Sequence, residues 1–223
     1  YATVDGEEVA GYLATPAGAP DSVPGMIVIH EWWGLNDNIR TMARRLAGRG
    51  YAALAVDLYR GSVASTPDSA MKLVRSVEDS AARSNLRQAH AFLSERGARA
   101  VGSIGWCFGG GWSLQTALEL PGALDAAVIY YGQLVTDPAE LEELGMPVQG
   151  HFGAEDNSIP LDEVRAFEEA LGTAGVTSEL YVYEGAGHAF ANPSGERYVE
   201  TAADTAWQRT TRFLAEHLKS GME

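Results

Sequence analysis

From about residue 24 to the end, short continuous apolar runs alternate with stretches whose apolar residues recur every three or four positions. The first pattern predicts buried strands and the second amphipathic helices. Strands are expected at residues 23–30 (VPGMIVIH), 51–56 (YAALAV), 100–105, 126–131, 147–152 and 178–183, with helices at 38–46, 108–120, 161–171 and 198–218. Residues 67–95 carry Met71, Val74, Ala81, Leu86, Ala89 and Leu93 at helical spacing and read as two helices broken near Ser80. The opening segment, residues 1–15, alternates around Gly6 as a β-hairpin and is expected to add antiparallel strands at one edge of a sheet. Continuous apolar strands separated by amphipathic helices need cover on both faces, so the expected fold is α/β, a mainly parallel sheet in a single domain over 1–223. No repeat or linker divides the chain, and residues 17–24 are too few to separate domains. Open parallel sheets bind ligands beyond the carboxyl ends of their strands, which makes the loops there the expected seat of chemistry.

Composition removes several function classes. Hydrophobic residues at 46% and charged residues at 21% exclude a disordered or coiled-coil chain. Thirty acidic residues against 16 basic ones give a net charge of −14, which repels phosphate backbones and anionic membranes, so neither nucleic acid nor membrane is an expected partner. Cys107 is the sole cysteine, which precludes an internal disulfide and a cysteine zinc cage. With no signal-peptide pattern at the start, a cytoplasmic location is expected, although a sequence that begins at Tyr1 rather than Met leaves export open.

The sharpest local signal is Gly105-Trp106-Cys107-Phe108-Gly109-Gly110, which ends one expected strand and opens a helix. A nucleophile on such an elbow needs a strained backbone, and small residues two positions to either side let strand and helix approach. A lone cysteine is more often core filler, but the flanking glycines and the helix N-terminus, whose N–H groups and dipole favour a thiolate, turn the reading toward a nucleophile. His188, in the glycine-rich loop after the last expected strand, can serve as its base. A carboxylate to orient the histidine stands after the 147–152 strand, where Glu155 and Asp156 both qualify, and the order nucleophile, acid, histidine is that of the α/β-hydrolases. Of the other histidines, His90 and His217 fall on helices, His151 reads as a hydrogen-bonded core residue, and His30 reads equally as a residue that orients the loop after its strand or as a structural one. No pair has the helical spacing of a zinc site, so no metal is expected.

The elbow, the loop His30-Glu31-Trp32-Trp33-Gly34-Leu35-Asn36, the strand end Asp57-Leu58-Tyr59, HFGAED at 151–156 and Gly187-His188-Ala189-Phe190 together resemble the dienelactone hydrolases, in family order across nearly the whole chain. The resemblance implies an α/β-hydrolase fold and a cofactor-free, carboxymethylenebutenolidase-like hydrolase of lactones or small esters. It implies a Cys107, His188, Asp156 triad, favouring Asp156 over Glu155, and an oxyanion hole of the Trp32 and Phe108 N–H groups. It further implies that Glu31 hydrogen-bonds the resting thiol and takes part in its activation, so that a thiol prone to oxidation stays quiet until substrate binds. Trp33, Trp106 and Phe190, with Trp32, are candidates to line a small apolar substrate pocket. The chain departs from the family at two carboxylate-binding arginines: Asn192 and Pro67 stand there instead, with Arg60 or Arg75 as conceivable substitutes. A monomer or small homo-oligomer acting on a small molecule is expected. The competing readings are a general carboxylesterase or thioesterase and, from another class, a binding or redox-sensing protein that uses Cys107 without turnover.

Overall fold

Two apolar layers, one on each face of the central sheet, follow from the period-two alternation of its strands. The computed structural model describes residues 1–18 and 22–220; residues 19–21, within the 17–24 stretch, and 221–223, at the end of the expected domain, lie outside the described residues. In chain order the elements are β1 (Ala2–Val4), β2 (Glu7–Val9), β3 (Tyr12–Ala14), β4 (Gly25–Ile29), α1 (Asp37–Ala47), β5 (Ala52–Ala55), α2 (Pro67–Ser76), α3 (Asp79–Glu95) and β6 (Val101–Trp106). There follow α4 (Phe108–Glu119), β7 (Ala126–Tyr130), α5 (Pro138–Leu141), β8 (Val148–Gly153), α6 (Leu161–Thr173), β9 (Ser178–Tyr183) and α7 (Glu200–Leu218). Seven strands form the central sheet in the order β3-β5-β4-β6-β7-β8-β9, and only β3 runs antiparallel to its neighbour.

Along β4, Ile27 and Ile29 join one core layer with Leu86 and Leu93 of α3, Leu114 of α4 and Phe167 of α6. Met26 and Val28 join the other, with Met42 and Leu46 of α1 and Trp207 and Phe213 of α7. Each such fully buried aliphatic or aromatic side chain contributes roughly 1.5–3 kcal/mol, so both helix layers are held by burial. The break expected near Ser80 falls at Val77, because Val77 and Glu78 leave the helical region between α2 and α3. Pro67 occupies the first turn of α2, where its missing N–H costs nothing, and Thr66 caps that turn from Ser69.

The amino-terminal expectation needs correction. The hairpin around Gly6 exists, turning at Asp5 and Gly6 with φ of 52° and 82°, but β1 and β2 form a separate two-stranded sheet. Its small apolar face, Ala2, Val4 and Val9, packs beside Ala81 of α3, and only β3 extends the main sheet. The four-residue α5 had no periodicity by which to predict it.

Candidate active site

The backbone at Cys107 has φ 54° and ψ −117°, a conformation L-residues rarely adopt, between the end of β6 and the start of α4. The flanking glycines are there because nothing larger fits. A Cβ on Gly105 would stand 1.9 Å from the Gly109 carbonyl oxygen, and one on Gly109 would stand 2.3 Å from that of Ile29. The Cys107 N–H donates to the Tyr130 carbonyl at 3.0 Å, which fixes the elbow to the neighbouring strand end. Tyr131 and Ala189, with φ of 38° and 63°, are also strained, so all three non-glycine residues at positive φ in the segments after β6, β7 and β9 lie at the carboxyl end of the sheet.

The thiol, imidazole and carboxylate form one line. His188 Nε2 is 3.1 Å from Cys107 Sγ, and His188 Nδ1 is 2.8 Å from Asp156 Oδ2. Asp156 Oδ1 accepts the backbone N–H groups of Ser158 and Ile159 at 2.7 and 3.2 Å, so the carboxylate cannot rotate freely. The structure thus brings Asp156, not Glu155, to the histidine. Burial pushes the Asp156 carboxyl up, but the His188 hydrogen bond and charge, with those two N–H groups, hold it below its ordinary range. Burial likewise pulls the His188 imidazole down, and the bonds to Asp156 and Cys107 outweigh it and lift it to about 10. An imidazole of that basicity carries a proton at neutral pH, the partner a thiolate needs.

The loop after β4 is held from below by His30. The Leu58 N–H can only donate, and it reaches His30 Nε2 at 3.1 Å, so the ring proton sits on Nδ1 and is donated to the Glu31 carbonyl at 2.7 Å. Burial keeps the ring neutral, so Asp57 Oδ1 at 4.0 Å is not its ion-pair partner. Tyr59 Oη donates to the Trp32 carbonyl at 3.2 Å, and the Ala64 N–H to that of Trp33 at 2.9 Å. Trp32 and Trp33 remain half-buried, ring against ring at 4.9 Å. Phe108 opens α4, so its N–H is one of the first amides, which have no intrahelical acceptor.

Four expectations are corrected. Glu31 Oε2 accepts from Asn192 Nδ2 at 2.6 Å, while the hydrogen bond of Cys107 Sγ is made with His188, so Glu31 does not hold the thiol. Asn192 is 6% exposed and committed to Glu31, which removes it from substrate contact. Trp106 and Phe190, 3% and 0% exposed, belong to the α1–α7 core layer, and the small cavity that Trp106 borders is lined by Met42, Arg45 and Trp207 of α1 and α7 and not by Cys107 or His188. Arg60 is paired with Asp5 and Glu7 of the amino-terminal hairpin and so is not a substitute clamp; Arg75 is exposed on α2. His151 is the core residue expected, bonded to Tyr183, Gln149 and Thr210 and kept neutral by burial and Arg209, which lower it to about 3. His90 and His217 sit half-buried on α3 and α7.

Sequence reasoning missed Tyr131. It is fully buried, its ring meets His188 edge-on at 5.3 Å, and no side chain among the described residues hydrogen-bonds its hydroxyl. Also among those residues, no three His, Cys, Asp or Glu side chains gather as metal ligands, and no helix is long and apolar enough to cross a membrane.

The arrangement has the parts for acyl transfer, and comparison with known proteins gives the family. The sequence profile of the dienelactone hydrolase family matches residues 9–218. Protein usf of Aquifex pyrophilus is 34% identical over 96% of both chains. A Salmonella typhimurium protein named provisionally as a carboxymethylenebutenolidase is 33% identical, over 95% of this chain and 84% of that one. A Klebsiella pneumoniae crystal structure, also provisionally named as a dienelactone hydrolase, superposes with a TM-score of 0.88 at 33% identity, covering 96% and 95% of the two chains. The fold is therefore the α/β-hydrolase fold of that group, and the chain belongs to the dienelactone hydrolase family, as a hydrolase acting on ester bonds.

Proposed function

We propose that this chain cleaves lactones or small esters with Cys107 as nucleophile, through an acyl-enzyme. The observation that carries the reading is the unbroken line from Cys107 Sγ through His188 to Asp156, with gaps of 3.1 and 2.8 Å, set on a strained elbow. The Cys107 sulfur attacks the carbonyl carbon, and the carbonyl electron pair moves to oxygen, where the Trp32 and Phe108 N–H groups receive the developing charge. Collapse of that adduct expels the alcohol oxygen, which takes its proton from His188. Water then attacks the thioester, His188 removes its proton, and Cys107 leaves as thiolate while the acid is released. Asp156 keeps the imidazole in the tautomer and orientation both halves require.

The substrate class follows from what is not free to bind an anion. Asn192, at one of the two arginine positions, is spent on Glu31, and Arg60 is paired with the hairpin carboxylates, which leaves Arg75, exposed on α2, as the one named substitute not so paired. Neutral lactones and short esters fit better than a carboxylated lactone, which also meets the field of a chain carrying −14. The test is hydrolysis of p-nitrophenyl acetate and of a dienelactone by the wild type and by Cys107→Ser. Turnover of neither substrate by the wild type, or undiminished turnover by the variant, overturns the reading.

A further inference from the structure

Asn192 is four residues beyond His188 on the same loop, yet its side chain crosses to Glu31 on the loop after β4. Both side chains are buried, Glu31 to 2% exposure. The orientation of the Asn192 amide is not arbitrary. Its Oδ1 accepts the Ser194 backbone N–H at 2.9 Å and the Ser194 hydroxyl at 2.6 Å, and a backbone N–H can only donate. Nδ2 must therefore face Glu31, where it donates at 2.6 Å. The loop is anchored on either side of this contact: Phe190 is fully buried, its carbonyl accepts the Val199 N–H at 2.9 Å, and the Asn192 N–H donates to Ala189 at 3.1 Å. The amide is thus held at both ends, on an anchored loop.

We propose that Asn192 is a positioning residue: pinned by Ser194, its amide holds the Glu31 carboxyl in one place beside the Cys107–His188 pair and ties the histidine loop to the loop that carries Trp32. The inference rests on the proposed hydrolytic reading of this site and adds to it a fixed Glu31 rather than a mobile one. Unlike an arginine, the amide brings no positive charge, so Glu31 has a hydrogen-bond donor but no local cation at this contact. The charged and titratable groups that act on Glu31 are His188 from the β9–α7 loop, itself bonded to Cys107, and Tyr131 from the end of β7, with neutral His30 on its own backbone and the Asn38 amide from α1. Burial outweighs the pull of His188 and the two amides and raises Glu31 to about 7.

The test uses Asn192→Ala and the near-isosteric Asn192→Asp, which keeps the Ser194 bonds if Asn192→Ala fails to fold. The Glu31 carboxyl is titrated by carbon-13 NMR, assigned by its loss in Glu31→Gln, and the pH profile of kcat/KM is recorded with p-nitrophenyl acetate. Removing a donor, or replacing it with a second carboxylate, raises a carboxyl pKa. The Glu31 midpoint is expected to rise by at least about half a pH unit in Asn192→Ala and further in Asn192→Asp. Near neutrality kcat is expected to fall roughly tenfold with KM changed less than about twofold. A Glu31 titration that superimposes on the wild type in the folded variant overturns the proposal, even if activity falls. Absence of hydrolysis in the wild type instead overturns the hydrolytic reading, and the NMR titration still decides the role of Asn192.

Discussion

Replacing Glu31 by Gln removes a buried ionisable group while keeping an oxygen for Asn192 to donate to, so it isolates the cost of a carboxylate at this position. Burial lifts the Glu31 carboxyl from 4.5 to about 7. The folded state therefore prefers the protonated form, so the group's full contribution to stability is present below about pH 4.5 and is lost as pH rises toward 7 and beyond. Each tenfold change in proton affinity is roughly 1.4 kcal/mol, so the loss is about 1 kcal/mol at pH 5.5 and about 3 kcal/mol at pH 8.5. His188 titrates in both proteins and largely cancels, apart from its attraction to Glu31. Urea unfolding of the wild type and Glu31→Gln at those two pH values measures the difference directly. The variant is expected to be the more stable, with an advantage that grows by about 2 kcal/mol across the interval. An advantage independent of pH, or a variant less stable at pH 8.5, refutes the reasoning.

Further outcomes follow from the same geometry. Cys107→Ala and His188→Ala each abolish ester hydrolysis while the circular dichroism melt stays intact, and more than a few per cent residual activity in either removes the assignment. Asp156→Asn lowers kcat by about 10² to 10⁴, and by more than Glu155→Gln does; the reverse order would name the wrong carboxylate. Gly105→Ala costs more than roughly 3 kcal/mol in thermal or urea unfolding, since its Cβ meets backbone at 1.9 Å; a wild-type melting temperature contradicts the packing of the elbow. The methyl ester of a dienelactone shows kcat/KM at least equal to that of the free acid, and a preference for the free acid that persists in high salt points to an anion site elsewhere, Arg75 being the first candidate.

The parallel strands and their helices were legible because burial on both sheet faces writes itself as apolar runs, and because the elbow leaves a glycine signature that only close backbone approach explains. Cys107 and His188 were legible for the same reason, each lying beyond the carboxyl end of a strand, whereas position left Glu155 and Asp156 equal and only the family resemblance favoured Asp156. What was not legible depends on which way a side chain turns. Trp106 and Phe190 sit next to reactive residues in sequence, but alternation along β6 and the turn after Gly187 direct both into the α1–α7 layer. The Asn192 to Glu31 bond spans 161 positions, and no local pattern encodes a partner that distant. Nor does any local pattern mark Tyr131, whose buried hydroxyl is defined only by what surrounds it in space.

The central claim is that the acyl group passes through the Cys107 sulfur. Rapid quenching of the wild type within its first turnovers of p-nitrophenyl acetate, followed by peptide mass spectrometry, tests it without reference to rates. An acetyl group on the Cys107 peptide, lost on further incubation and absent from Cys107→Ala, is the predicted result. An acetyl group on another residue, or a Cys107→Ala protein that turns over as the wild type does, contradicts it.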